Sequence, residues 1–183
     1  MSRSIPVDDR RWRADRGVHG GIDEVPVPGV TGALWLAGKH FVGPDPDRAL
    51  AAVGATTIVC LNQAGEFADR YPQYADWLAT NRPERAVWVP IPDLHAPELE
   101  VAVALVDDLR VRLRAGERLI LHCGAGIGRA GTMAAAVLID LGSTLDEATA
   151  RVAAHRPMAG PEAGAQRELL VQLAARASTA PPP

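Results

Sequence analysis

The chain contains 183 residues, of which 48% are hydrophobic and 22% are charged, and its formal net charge is −3. A chain of this length and composition usually folds as one globular domain around one core. Because the net charge is small, we expect neither nucleic acid nor an anionic membrane as a partner, and any selectivity for anions must be local.

Residues 1–28 mix charges, glycines and prolines without an apolar period, which predicts an N-terminal arm before a domain at residues 29–177. No apolar stretch follows Met1, so the sequence predicts neither a secretory signal nor a membrane span and favours the cytoplasm. Four arginines of the arm are interleaved with aspartates, as in a solvated segment, although an acidic partner would also suit them: Arg10, Arg11, Arg13 and Arg16. Residues 178–183 form a predicted tail.

Strands and helices alternate along the predicted domain. Apolar runs predict strands at 30–37, 56–61, 86–90 and 118–122. Proline starts, capping residues and helical periods predict helices at 45–52, 71–80, 97–116, 132–141 and 144–155, and a last helix from Pro161. This order predicts a single α/β domain with a mostly parallel, twisted central sheet flanked by helices on both faces. In such folds, anionic ligands bind beyond the C-terminal ends of the strands.

The two cysteines are Cys60 and Cys123, which are too few for a disulfide framework and lack the spacing of a zinc site. Cys60 lies in a predicted buried strand, where a cysteine is usually a core residue. A reversible disulfide between Cys60 and Cys123 under peroxide is the alternative.

Between the last predicted strand and the helix that follows it, residues 122–129 read His-Cys-Gly-Ala-Gly-Ile-Gly-Arg. A glycine-rich turn from a strand into a helix can direct several backbone N–H groups at one anion. A thiol at such a position ionises more readily than a free one, so Cys123 is a candidate nucleophile. Arg129 offers a planar fork that binds two phosphoryl oxygens. The predicted phosphate-binding residues are Gly124, Ala125, Gly126, Ile127, Gly128 and Arg129.

These residues resemble the signature of the Cys-based protein tyrosine phosphatases, especially the dual-specificity branch, which is His-Cys, five residues, then Arg. The resemblance extends over about residues 30–176. It implies a twisted sheet flanked by helices, no metal or organic cofactor, and catalysis by Cys123 and Arg129. It also implies a structural role for His122, whose ring we expect to bond to loop carbonyls.

The same resemblance assigns the general acid to Asp93, which follows Pro90-Ile91-Pro92 upstream of the cysteine. Three other polar residues nearby are rivals for this role, and Asp93 could instead be a solvated loop or capping residue: His95, Glu98 and Glu100. Gln166 matches a family glutamine that orients the hydrolytic water, although it could equally be a helix-surface glutamine. Ala130 departs from the family, which has Ser or Thr there to donate a hydrogen bond to the cysteine sulfur.

A second motif overlaps the loop, because residues 126–131 also match the Gly-x-Gly-x-x-Gly pattern of dinucleotide-binding domains. That fold requires a strand ending in an acidic residue after the helix. This chain instead has a capping box at Thr144 and another predicted helix. The nucleotide-binding interpretation is therefore disfavoured.

The sequence predicts a phosphoprotein monoester phosphatase whose partner is a phosphorylated protein or peptide. The five residues between Cys123 and Arg129 carry no lysine, which disfavours the multiply phosphorylated substrates of inositol-lipid members of the family. Phosphotyrosine is preferred over phosphoserine and phosphothreonine. The alternative, motivated by Ala130, is a module that binds phosphate groups without turning them over.

Overall fold

A five-stranded sheet forms the centre of the protein in a computed structural model that describes residues 7–179. Its strands are β1 (Ile22–Val25), β2 (Ala33–Gly38), β3 (Thr57–Cys60), β4 (Ala86–Trp88) and β5 (Arg118–Cys123). The strand order is β1-β2-β5-β3-β4, and every neighbouring pair is parallel except the antiparallel pair β1–β2. The predicted single α/β domain with a mostly parallel sheet is therefore confirmed.

Helices cover both faces of the sheet. They are α1 (Val7–Ala14), α2 (Arg16–His19), α3 (Lys39–Val42), α4 (Pro46–Val53), α5 (Pro72–Thr80), α6 (Leu99–Arg114), α7 (Gly128–Asp140), α8 (Leu145–His155) and α9 (Gly164–Thr179), with a short 3-10 turn at Ala64–Glu66. One apolar core joins the sheet to α6, α7, α8 and α9, and a second core joins its other face to α3, α4 and α5. No helix in the described part of the chain is long and apolar enough to cross a membrane.

Local signals explain most of the helix boundaries. The Asp45 side chain caps α4 by accepting a hydrogen bond from the Arg48 amide, and Gly54 ends the helix in the left-handed conformation. Thr144 and Glu147 form the predicted capping box of α8. The last helix begins at Gly164 rather than at Pro161, and α7 begins at Gly128 rather than at residue 132. The glycine-rich loop therefore enters α7 directly.

The segment predicted as an N-terminal arm is different in the structure. Ile22–Val25 pairs along its whole length with β2 and forms one edge of the sheet. The sequence analysis did not anticipate this strand, because a short edge strand bounded by glycines and prolines leaves no readable period. Residues 1–6 and 180–183 lie outside the described residues, and the domain boundaries at 29 and 177 stay predictions.

Candidate active site

A cleft of about 710 Å³ lies at the C-terminal end of β5 and contains the predicted loop. Cys123 is the last residue of β5 and is 3% exposed, and Gly128 is the first residue of α7. The loop between them therefore sits at a helix N-terminus, where the helix dipole and free N–H groups favour an anion.

Each carbonyl of residues 124–127 is held by a donor outside the loop. The Lys39 amide donates to Gly124 O at 3.0 Å, and the Gly131 amide donates to Ile127 O at 2.8 Å. Arg156 donates to the carbonyls of Ala125 and Gly126. Within residues 7–179, no hydrogen bond is donated by the amides of residues 124–127. The loop thus has fixed acceptors and four uncommitted donors, as an anion-binding nest requires.

Gly126 is the loop position that only glycine can occupy. Its φ is +75°, and a Cβ there would lie 2.2 Å from the carbonyl oxygen of Ala37 on β2. Any side chain would both strain the backbone and push the loop off the sheet.

Arg129 lies in the first turn of α7 with its guanidinium group almost fully buried. Its Nη1 and Nη2 atoms bind the two carboxylate oxygens of Glu66 at 2.6 and 2.8 Å, and Nη1 also donates to Ile91 O at 2.8 Å. Burial raises the pKa of Glu66, but the hydrogen bonds from Arg129 and other donors outweigh it and lower that pKa below its usual value. Glu66 is therefore an anion that orients Arg129.

Glu66 was missed by the sequence analysis, because it lies 63 positions from Arg129. The signal that could have found it is its place just after β3, whose C-terminal end meets the same sheet edge as that of β5. One donor of Arg129 stays uncommitted, since Nε is buried and has no hydrogen-bond partner among the described residues. The guanidinium group overlies the loop, and a Cβ on Gly124 would lie 3.3 Å from Nη2.

Asp93 lies at the mouth of the same cleft with its side chain 71% exposed, and its Oδ1 is 3.0 Å from Arg129 Nη2. The turn that carries it is closed by a hydrogen bond from the His95 amide to Pro92 O, and the His95 ring lies against Asp93 O. The cleft lining, as far as the structure describes it, includes Asp93 but none of its three rivals, His95, Glu98 and Glu100. The structure thus places Asp93, rather than any of these rivals, in one cleft with Cys123 and Arg129.

Gln166 is 1% exposed, and its amide group is engaged with protein atoms. Oε1 accepts from the Glu162 amide at 2.8 Å and from the Thr132 hydroxyl at 3.4 Å, and Nε2 donates to His95 O at 3.1 Å. The side chain joins α9 to the turn that carries Asp93, so it is not a helix-surface glutamine. The role in orienting water stays a prediction.

Glu162 is a second carboxylate at the cleft that the sequence analysis did not select. Its Oε2 atom lies against Gly128, where a Cβ would be 1.9 Å away, and it lines the cleft with Asp93. No sequence motif marks it, because its position depends on how the segment before α9 returns to the loop.

His122 is fully buried beside the cleft, and its Nε2 lies 2.6 Å from the Tyr74 hydroxyl. The partner of the ring is therefore this tyrosine of α5 rather than the loop carbonyls that we expected. Burial, with a smaller contribution from the nearby Arg129 charge, lowers the pKa of His122 to about 4. The imidazole is neutral at physiological pH.

We expect His122 to make the protein less stable in acid. As pH falls from about 6.5 towards 4, the unfolded histidine binds a proton that the folded one does not, so the free energy of unfolding decreases by about 3 kcal/mol. Urea unfolding between pH 7 and pH 4 should show this loss in the wild type and in the exposed-site control His155→Asn, but not in His122→Asn. If the free energy of unfolding of all three proteins fell by the same amount between pH 7 and pH 4, the assignment of this loss to His122 would be wrong.

Cys60 lies beside His122 in the β3–β5 ladder, so its side chain shares the face of His122. Cys123 is the next residue of β5 and packs in the core on the opposite face. Burial raises the pKa of Cys60 to about 12. The alternative of a Cys60–Cys123 disulfide is not supported, because the two Cβ vectors point apart.

Comparisons with known proteins support the same architecture. A crystal structure of Tk-PTP in the active form has 26% identity, a TM-score of 0.64, and covers 84% of this chain and 97% of its own. Human DUSP28 has 20% identity and a TM-score of 0.65, covering 86% of this chain and 95% of its own. A human tyrosine phosphatase-like serine/threonine/tyrosine-interacting protein has 20% identity and a TM-score of 0.67, covering 85% and 96%. The two human structures therefore share the fold of this chain.

The comparison with curated proteins found no match. The model of one family, the DSP-PTPase phosphatase domain of the Swiss Army Knife proteins, matches residues 40–180, which include the whole loop from Cys123 to Arg129. The resemblance to dual-specificity phosphatases is therefore confirmed, and the chain belongs to the DSP-PTPase phosphatase domain family.

Proposed function

We propose that this domain hydrolyses phosphate monoesters on protein side chains through a phosphocysteine intermediate, with phosphotyrosine preferred over phosphoserine and phosphothreonine. The observation that carries the proposal is the set of uncommitted donors around Cys123, namely the loop amides and Arg129 Nε. Such donors stabilise the charge of a transferring phosphoryl group. A binding partner with a phosphorylated side chain follows from the same chemistry.

In the first step, the Cys123 sulfur attacks phosphorus and the bond from phosphorus to the leaving oxygen breaks. Asp93 gives its proton to that oxygen, so the product leaves as an alcohol or phenol. In the second step, water attacks phosphorus, its proton passes to Asp93, and the sulfur–phosphorus bond breaks to release inorganic phosphate. Arg129 and the loop amides bind the phosphoryl oxygens throughout, and Glu66 keeps Arg129 oriented.

The second step is expected to be slow, because Ala130 offers no hydroxyl to the leaving sulfur. The nearest hydroxyl along α7 belongs to Thr132 and bonds to Gln166. One lost hydrogen bond to a charged group costs on the order of 1.5 to 3 kcal/mol, which is tenfold or more in rate.

Rapid-quench kinetics with an aryl phosphate test both the proposed function and this step. We expect a burst of about one phenol per enzyme and an acid-stable phosphate on Cys123, and Ala130→Thr should raise steady-state turnover about tenfold. Ala130→Val is the control, because valine has the shape of threonine without its hydroxyl. It therefore separates the effect of the hydrogen bond from the effect of packing. Absence of a burst, together with no gain in Ala130→Thr, would refute slow breakdown.

The same missing hydroxyl favours one alternative, a module that binds phosphorylated partners without turnover. That function predicts that the wild type binds a phosphopeptide but releases neither phenol nor phosphate. Turnover by the wild type, with labelled phosphate trapped on Cys123, would exclude it.

A further inference from the structure

The phosphate-binding loop is held by Arg156, the residue that follows α8, which also lines the cleft. Its side chain is 5% exposed. Nε donates to Gly126 O at 2.7 Å and Nη2 donates to Ala125 O at 2.7 Å. Both bonds are charge-assisted and come from one rigid plane, so they fix two consecutive peptide groups at once.

The orientation of these two peptides decides whether the loop can bind an anion. A carbonyl that turned towards the cleft would place an acceptor where a phosphoryl oxygen must lie. Both carbonyls are bound to Arg156, so neither can turn towards the position of the phosphoryl group. The neighbouring amides are therefore left for the anion. A lysine has the same charge but lacks the planar fork, so it could not hold both carbonyls in this way.

Arg156 is itself fixed by Asp23 of β1. Nη1 of Arg156 lies 2.7 Å from Asp23 Oδ2, and Arg16 binds the same carboxylate through two bonds of 2.8 and 2.7 Å. Burial raises the pKa of Asp23, but the hydrogen bonds and charges of Arg16 and Arg156 outweigh it and lower that pKa. The carboxylate therefore stays ionised between two guanidinium groups.

The contacts of Arg16 with Asp23, and of Asp23 with Arg156, bring residues that precede the family match into the site. The family model covers residues 40–180, whereas Arg16 and Asp23 precede it. Residues 16–20 also line the cleft that contains Cys123. Asp23 reaches the loop because β1 pairs with β2, where Asp23 is opposite Leu36 next to the Gly126 contact at Ala37.

We propose that Asp23 is a positioning residue of this site, which sets the phosphate-binding loop through Arg156 and makes the segment from Arg16 to Val25 part of the catalytic unit. The catalytic part of this proposal rests on the proposed function. The structural part, that the Asp23–Arg156 pair fixes the loop carbonyls, does not depend on turnover.

The test compares Asp23→Asn and Arg156→Lys with the wild type in the full chain. We expect both variants to raise the Kd for tungstate, a tetrahedral oxyanion, and the KM for an aryl phosphate by about tenfold. Amide hydrogen exchange at Lys39 and Gly131, whose N–H groups bind the loop carbonyls, should also become about tenfold faster. Asp23→Glu retains the carboxylate and should recover part of each change.

Asp47→Asn is the matched control, because it removes an ion pair with Arg85 on the exposed surface. It should leave tungstate affinity, KM and the two exchange rates unchanged. A lower melting temperature in Asp23→Asn, with wild-type affinity, KM and exchange, would overturn the inference. Failure of the wild type to bind tungstate or to turn over would instead refute the proposed function, and the exchange rates would still decide the role of Asp23.

Discussion

Replacing Cys123 with serine is expected to lower hydrolysis of an aryl phosphate by at least about 10⁴-fold while leaving tungstate binding in place. A serine hydroxyl is a far weaker acid than a thiol, so it needs a base to take its proton before it can attack. His122, which precedes Cys123 in the chain, does not supply that base, because its Nε2 is paired with Tyr74 and the ring is fully buried. The donors that bind the anion are unaffected by the change.

Cys60→Ala is the control for this experiment, because Cys60 is the other cysteine of the chain and lies in the opposite core. It should retain turnover per folded molecule within a few-fold. Turnover by Cys123→Ser at the wild-type rate would refute the phosphocysteine mechanism. So would labelled phosphate trapped at any residue other than Cys123.

Replacing Asp93 with asparagine is expected to lower kcat by about 10²- to 10³-fold for esters with poor leaving groups and only slightly for p-nitrophenyl phosphate. A good leaving group departs without a proton, so it does not need the acid. The asparagine amide oxygen can still accept from Arg129 Nη2, which Asp93 approaches at 3.0 Å, so the turn should keep its place. The measurement is kcat across a series of aryl phosphates of increasing phenol pKa.

Glu162→Gln provides the discriminating comparison, since Glu162 is a carboxylate that lines the same cleft and, unlike Glu66, is not paired with Arg129 in the structure. We expect its dependence on the leaving group to match that of the wild type. A steep dependence in Glu162→Gln, with a wild-type dependence in Asp93→Asn, would transfer the acid role to Glu162.

The sequence predicted the parts of this protein that depend on local chemistry. The β5–loop–α7 unit is recognisable because strand, glycine-rich turn and helix are contiguous, and α4 and α8 have capping signals within a few residues. Asp93 was found only through its resemblance to a family loop. Its contact with Arg129 comes from the fold, because β4 and β5 are separated in the sheet by β3.

The parts that could not be predicted depend on residues far apart in sequence. Glu66 gains its role only when the ends of β3 and β5 meet, and nothing local distinguishes it from a solvated glutamate. Asp23 is similar, since β1 is four residues long and its pairing with β2 depends on the rest of the sheet. A single sequence identifies the nucleophile and its loop, but not the carboxylates that orient the two arginines around them.

The placement of the two cysteines on opposite faces of the sheet determines how the protein recovers from peroxide. A reactive cysteine is usually rescued from its sulfenic acid by a neighbouring resolving thiol. Here the chain has only one other thiol, and it is buried beyond the strand. We therefore expect its sulfenic acid to be intercepted by a small thiol that enters the cleft or by a backbone nitrogen, and otherwise to proceed to the irreversible sulfinic acid.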